Sequence, residues 1–562
     1  MATTGANRSL GFRDPEHYAQ VRGVLGKAGF SDRGVAEALG VNTARSLSGK
    51  DLAVLLRRTS GGTARDTFIR LFLLGVAVEA EALRRAIEPM TPDTWIEAGL
   101  IDEAGGLVTA RVQVLPLAGF VLAYDLPRRI EAAEAEDYVM GIGSSTLTLA
   151  NAMVRRPSRL SLDLGTGCGY LAFLAARHST RVVAADRNAR AIEFAAFNAA
   201  LNELGHVECL EGDLFEPVRA RQFDLVVSNP PFVISPEIRY IYRDGGMQGD
   251  QFTQTIVRRV SEFLAEGGFC QILCNWAHVA GQDWRDRLAG WFAGTGCDAW
   301  VMRTDTLDAP SYAAKWIRHT ERRRDDDFDR RLEQWIGYYE EAGIEAVSGG
   351  LITMRRRSSS TSSPSHWLRL DDGPEKMLGP AGESIELAFA LRDFLESHPE
   401  PESWLSLRLR VSPDARLHQR FVPSPEGWQA VEGELRLERG LPYTGGVDPY
   451  VAALVARCDG QRPLGQLLDE LARSVEQDVA SLAPACLDVI RRLVERGFLL
   501  PPIPDSGVST PPLTMAGHSR WSPICRWRRW RIIASGGTFS DNGRWKRPRR
   551  TCSKPCGGSR TN

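Results

Sequence analysis

The chain has no long hydrophobic run. Its longest apolar stretch, Phe68 to Ala80, is broken by Arg70 and Glu79 and falls short of the roughly 20 residues that cross a bilayer, so no membrane association is expected. The opening residues, MATTGANRSL, carry no charged segment followed by an apolar segment and a small-residue cleavage site. The ten cysteines are scattered along the chain, a pattern that predicts reduced thiols and a cytoplasmic location. The nine histidines lack metal-ligand spacing, and Cys552 and Cys556 have no second pair at zinc-finger distance, so no metal site is expected. Net charge is nearly absent too, at −1, although from Ser509 onward twelve Lys and Arg face one acidic residue. What is plentiful is apolar residue: 43% of 562 residues excludes a disordered chain and suffices for roughly three or four domains.

Composition and periodicity divide the chain into four. Residues 1–129 show a 3.6-residue apolar period behind helix-start signals at Asp14-Pro15, Ser31-Asp32 and Thr63, followed by alternation from Leu107 to Asp125 that predicts a pair of strands. That order predicts an N-terminal helical, winged-helix-like domain. Residues 130–357 alternate short apolar strands with helices, as in a parallel sheet covered on both faces. Seven strands are expected there: LSLDL, TRVVAAD, HVECLEGD, FDLVVSNPP, GGFCQILCNW, CDAWVMRTD and GGLITMRRR. The run RRRSSSTSSPS, Arg355 to Ser365, reads as a linker, and residues 358–505 as a C-terminal α+β domain ending in two helices. Residues 506–562 form a basic tail rich in Trp, Arg and Cys with no helical or strand period. It is expected to be disordered, with charge and stacking as its route to RNA if it has a function.

The chemistry is concentrated between Leu160 and Phe232. In LDLGTGCGY, Asp163 ends a strand, and Gly165, Gly167 and Gly169 remove Cβ atoms where the backbone must turn and approach a ligand. The spacing is G-x-G-x-G, not the dinucleotide G-x-G-x-x-G. About twenty residues on, Asp186 ends the second strand, where a carboxylate can accept from both hydroxyls of a ribose. After the third strand comes Gly212-Asp213-Leu214, where an acid can meet an adenine amino group. Three such features at successive strand ends fall on one rim of the sheet, the rim on which open α/β sheets bind ligands. The bland alternatives are a helix cap for Asp186 and a turn residue for Asp213. The fourth strand closes with Asn229-Pro230-Pro231-Phe232. A planar nitrogen is a poor nucleophile because its lone pair is conjugated. An asparagine oxygen and the Pro230 carbonyl can each accept one of its N–H groups, prolines fix the aim of the turn, and Phe232 can stack on the planar group.

This arrangement resembles the class I S-adenosyl-L-methionine-dependent methyltransferases, and Asn229 to Phe232 match the [N/D]-P-P-[Y/F] signature of those that modify planar nitrogens. SNPPFVISPE followed by YRDGGMQGDQFTQTIVRRV is most similar to the protein-glutamine N5-methyltransferases that act on the Gly-Gly-Gln loop of peptide release factors. The resemblance implies an α/β, seven-stranded Rossmann-like core and S-adenosyl-L-methionine as cofactor. It implies cofactor contacts from Asp163, Gly165, Thr166, Gly167, Gly169, Asp186, Arg187, Asp213, Leu214 and Asn229, and catalytic roles for Asn229, Pro230, Pro231 and Phe232. The preceding YVMGIGSSTLTL, Tyr138 to Leu149, is expected to cover the methionine end of the cofactor, with Ser145 or Thr146 in contact, or else simply to cap a helix. The implied partner is a protein such as a release factor. Phe232 in place of the more usual tyrosine leaves room for an RNA or DNA base, since phenylalanine is common in the guanine-N2 methyltransferases of ribosomal RNA. A reading of another class is a catalytic fold turned binding scaffold.

Overall fold

The computed structural model describes residues 9–42, 51–127, 129, 136–237, 243–244, 247–320, 327–357, 366–374, 377–425 and 427–502. The serines of the linker and the basic tail with Cys552 and Cys556 lie outside the described residues. The chain divides into two compact units, Met1–Gly373 and Pro374–Asn562.

The first unit opens with helices α1 (Pro15–Lys27), α2 (Asp32–Leu39), α3 (Leu52–Arg58), α4 (Ala64–Phe68), α5 (Ala80–Ile87) and α6 (Pro92–Glu97). Four of them start where a short polar side chain accepts from an otherwise orphaned backbone N–H: Asp14, Ser31, Asp51 and Thr63. Strands β1 (Val78–Glu79), β2 (Ile101–Ala104) and β3 (Leu107–Ala110) form a small antiparallel sheet, and β4 (Val112–Leu117) pairs with β5 (Phe120–Asp125) in a separate hairpin. The stretch expected as one strand pair is therefore shared between two sheets. The turn decides this: Ala118 and Gly119 both take positive φ, 52° and 83°, the two-residue geometry that matches strand twist, and it leaves Leu107–Ala110 to pair elsewhere.

After α7 (Ser144–Ala152) comes an eight-stranded sheet of β6 (Ser158–Leu164), β7 (Ser179–Asp186), β8 (Val207–Glu211), β9 (Phe223–Ser228), β10 (Leu264–Val279), β11 (Cys297–Asp308), β12 (Ile344–Arg356) and β13 (Leu368–Asp372). The order is β13-β11-β12-β10-β9-β6-β7-β8. β12 is antiparallel to both neighbours and the other pairings are parallel. Helices α8 (Tyr170–Ala176), α9 (Ala189–Leu201), α10 (Gln251–Val260), α11 (Trp284–Phe292), α12 (Ala309–Thr320) and α13 (Phe328–Glu341) fall between strands. All seven expected stretches are strands, but the sheet has eight. The extra strand lies beyond the linker, so this unit runs to Gly373 and does not stop at residue 357. Leu368 and Leu370 alternate with Arg369 and pack on the sheet's core; a boundary drawn from composition cannot see such a remote partner.

The core on one face joins β-branched and aromatic strand residues to Phe252, Ile256, Val257 and Val260 of α10 and Trp284, Leu288 and Trp291 of α11. The N-terminal hairpin is held to α9 by two asparagines four residues apart, which lie on one face of a helix. Asn198 accepts from Ala123 N at 2.7 Å and donates to Ala123 O at 2.8 Å, and Asn202 does the same with Val121 at 2.8 Å each. Each amide completes the backbone pairing of a strand edge. Asn198 Nδ2 also donates to Cys168 O at 2.9 Å, tying the glycine turn to the same helix.

The second unit has its own core, around Trp404, Leu467, Leu468, Ile490 and Val494. It packs helices α14 (Gly382–Ser397), α15 (Pro401–Leu405), α16 (Pro449–Ala456), α17 (Leu464–Ser474) and α18 (Val479–Glu495) with a two-stranded and a three-stranded antiparallel sheet. Among the described residues, no helix is long and apolar enough to cross a membrane.

Candidate active site

Strand order reverses at β6, which pairs with β7 on one side and β9 on the other. Crevices beyond the carboxyl ends of strands open at such a point. The registers Leu164↔Ala185 and Leu164↔Ser228 bring the three strand ends level, so the glycine turn, Asp186 and Asn229 meet there. A cavity of about 280 Å³ occupies the place.

The glycine turn is shaped by φ of 76° at Gly165, 55° at Gly167 and 92° at Gly169, values that favour glycine. A Cβ on Gly169 would stand 2.5 Å from the Phe173 ring, and one on Gly165 would come within 4.0 Å of Pro230 Cα, so the glycine and proline turns nearly touch. Asp163 lies behind the turn, fully buried. Its Oδ2 accepts from Thr166 Oγ1 at 2.7 Å and Ala172 N at 2.9 Å, while Oδ1 has no partner. Burial pushes its carboxyl up from 3.8 to about 7, against the pull of those two donors. A folded-state value above the unfolded one favours the fold at low pH, and that contribution is lost as pH rises through about 7. The loss between roughly pH 4 and pH 7 is on the order of 4 kcal/mol. Asp163→Asn places an amide nitrogen at the unpaired oxygen and keeps the acceptor, so its urea midpoint relative to wild type should climb across that window. A pH-independent difference would contradict this account.

Asp186 ends β7 with both oxygens engaged: Oδ2 accepts from Gly167 N and Oδ1 from Asn188 N, each at 2.9 Å. Burial raises its pKa, and the two N–H donors oppose the rise. The cap of α9 is Asn188, whose Oδ1 accepts from Arg190 N at 3.0 Å. Asp186 thus braces the glycine turn and, with about four lone-pair sites on a carboxylate, keeps acceptor capacity toward the cavity it lines. Arg187 and Asp213 are exposed on the rim of the cavity, beside Leu214, whose φ is 48°.

Asn229 follows β9, whose last residue, Ser228, donates from Oγ to Leu164 O at 2.7 Å. The Asn229 amide nitrogen donates to Thr146 Oγ1 at 3.1 Å and Ser145 Oγ at 3.4 Å, and its Oδ1 is buried without a partner. Those hydroxyls sit at the start of α7, whose far end is held by the buried Gln271 of β10 through Val154 N at 2.7 Å and Ala152 O at 2.8 Å. Phe232 meets Trp316 of α12 edge to face, with ring centroids 6.1 Å apart. Thr146, Gly165, Thr166, Gly167, Asp186, Arg187, Asp213, Leu214, Asn229, Pro230, Pro231 and Phe232 all line the cavity, whereas Asp163 and Gly169 stand behind it. Arg243 and Trp316 also line it. Arg243 is buried against Asp244, with Nε to Oδ1 at 2.7 Å. Arg243 belongs to the YRDGGMQGD stretch but is not among the site residues expected from it, and Trp316, foreshadowed by no motif, lies far along the chain in an insertion.

The donor set suits S-adenosyl-L-methionine. A carboxylate at the end of the second strand, a second acid after the third, and a glycine-opened backbone leave polar acceptors around an otherwise apolar cavity. No group of His, Cys, Asp and Glu among the described residues is placed to hold a metal ion.

Residues 140–284 match the methyltransferase small domain. Residues 27–111 and 387–501 match two domains of unknown function, DUF7059 and DUF7782. The chain is 34% identical over 156 residues to the release factor glutamine methyltransferase of Geobacter sulfurreducens, covering 25% of this chain and 52% of that one. With the Xylella fastidiosa enzyme of the same name (strain 9a5c) it shares 40% over 96 residues, 16% of this chain and 35% of the other. With the ribosomal protein uL3 glutamine methyltransferase of Bradyrhizobium diazoefficiens it shares 35% over 140 residues, 22% and 44%. The chain thus spans about half or less of the length of these relatives. The part of the chain that matches the methyltransferase small domain, residues 140–284, carries the glycine turn and Asn229 to Phe232 and is of the S-adenosyl-L-methionine-dependent kind.

Proposed function

We propose that the chain is an N-methyltransferase that uses S-adenosyl-L-methionine to methylate a planar nitrogen, and that the acceptor is a glutamine side-chain amide in a protein. The observation that carries the reading is the unspent acceptor at Asn229. An uncompensated buried oxygen costs about 1–3 kcal/mol, and an incoming N–H offsets that cost. The Ser145 and Thr146 hydroxyls take the amide nitrogen and so leave Oδ1 as the atom available to a donor. The Pro230 carbonyl receives the acceptor's other N–H, and Phe232 stacks on its plane. Held this way, the nitrogen's lone pair is directed out of conjugation and toward the cofactor side. S-adenosyl-L-methionine, when bound, supplies an electrophilic methyl group on a charged sulfonium. Asp186 takes the ribose hydroxyls, and Asp213 takes the adenine amine. Positioning and fixed dipoles then lower the barrier without a strong base: as the N–C bond forms the C–S bond breaks to leave a neutral thioether, and the methylated nitrogen gives up its surplus, now acidic, proton to water.

The glutamine reading draws on the names of the relatives, a release factor and a ribosomal protein glutamine methyltransferase. A nucleic-acid base is the second reading, favoured by Phe232 at the position where tyrosine is more usual. Incubation of the full chain with tritiated cofactor and cell extract, followed by separate protease and nuclease digestion, decides between them. Label released by protease is expected. Label released by nuclease alone would replace the glutamine with a base, and no incorporation at all would favour a scaffold.

A further inference from the structure

We infer that the helix pair α12–α13, inserted between β11 and β12, is the device that aims the acceptor turn, with Tyr312 and Tyr339 as its positioning residues. The inference rests on the N-methyltransferase reading for its purpose, but its geometry stands apart from that reading. Beyond β9 the chain leaves the sheet, and the backbone from Pro230 to Ser235 is irregular. Buried irregular backbone must find hydrogen-bond partners from outside any ladder. At Ile234, fully buried two residues beyond Phe232, both backbone groups find them on the insertion. Ile234 N donates to Tyr312 Oη at 3.2 Å, and Tyr339 Oη donates to Ile234 O at 2.7 Å.

The clamp is anchored from both sides. Tyr312 Oη also accepts from Asn275 Nδ2 of β10 at 2.7 Å, which references the clamp to the central sheet. Tyr312, Trp335 and Tyr339 are buried in one cluster with Val233, Ile234, Ala277 and Ile344, and burial holds both phenols well above their usual range, so they remain hydroxyls. Two further bonds extend the hold along the same loop. Gly249 N donates to Tyr338 Oη at 3.1 Å, and Gln334 Nε2 donates to Glu237 Oε1 at 2.8 Å. The Phe232 ring itself rests on Trp316 of α12. A helix pair retained only for packing would need none of these hydroxyls, because leucine or phenylalanine fills such a cluster without a polar atom to satisfy.

The test uses the full chain and the variants Tyr312→Phe and Tyr339→Phe, which keep the ring and delete the hydroxyl. The probe substrate is a synthetic peptide with a Gly-Gly-Gln core. Misplacement of about 1 Å at a reacting group can cost on the order of 100-fold, so kcat should fall about tenfold or more, KM should change less, and the Kd for cofactor should stay within about twofold. Hydrogen exchange should rise in the segment from Asn229 to Glu237 and stay unchanged in β6 and β7. Unchanged kcat with unchanged exchange overturns the inference, as does faster exchange spread evenly through the sheet, which would mark a general loosening. If the wild-type chain does not methylate the peptide, the glutamine reading fails by itself, and the exchange measurement alone decides the clamp: no local rise overturns it.

Discussion

Asn229→Ala is expected to lower methyl transfer by about 10²- to 10³-fold, the range found when one preorganised polar partner is removed from a reacting centre, while leaving cofactor affinity within about threefold. The substitution deletes the free Oδ1 that would receive the acceptor's N–H and strands the Thr146 and Ser145 hydroxyls now bonded to the amide. The backbone of the turn is kept by its own prolines and by the Ser228–Leu164 bond, so the fold should persist. Asn229→Asp keeps an acceptor oxygen at the same place, and the two hydroxyls can turn to donate to it, so it should retain more activity than alanine. Single-turnover transfer of labelled methyl to the probe peptide checks both variants. Equal activity in wild type and Asn229→Ala would remove Asn229 from the chemistry.

Asp186→Ala is expected to weaken cofactor binding by about 10- to 100-fold, the equivalent of about one hydrogen bond to a charged group. Two effects act together. The ribose loses its acceptor, and Gly167 N and Asn188 N lose the oxygens that hold the glycine turn against the start of α9. Asp186→Asn does not separate them cleanly, because its amide nitrogen would face one of the two backbone N–H donors. Calorimetric titration of each variant checks the prediction, and an unchanged Kd in Asp186→Ala would refute the ribose assignment.

Much of the central stretch was legible because local chemistry dictates it. Gly165, Gly167 and Gly169 each need a positive φ, and that requirement is visible in residue type alone. The seven strands show as short apolar runs because a sheet covered on both faces selects for them. What depends on distant partners was not legible. β13 is five residues that become a strand only beside β11, and a serine-rich run before it looks like an end. Asn198 and Asn202 read as ordinary helix residues until β5 is laid against them. Thr146, expected at the cofactor, lines the cavity and also accepts from the Asn229 amide nitrogen, so the segment before the sheet sets the orientation of that amide. Asp186 had a helix cap as its bland alternative, and the cap is the neighbouring Asn188. Trp316, Tyr312 and Tyr339 come from an insertion whose Arg-rich and Asp-rich sequence conceals the aromatic residues that pack with Val233 and Ile234.

The most direct measurement is isothermal titration of the full-length protein with S-adenosyl-L-methionine. One site per chain with saturable heat, abolished or strongly weakened in Asp186→Ala and preserved in Asn229→Ala, is the result the account predicts. Absence of binding to the wild-type protein would contradict it at its root.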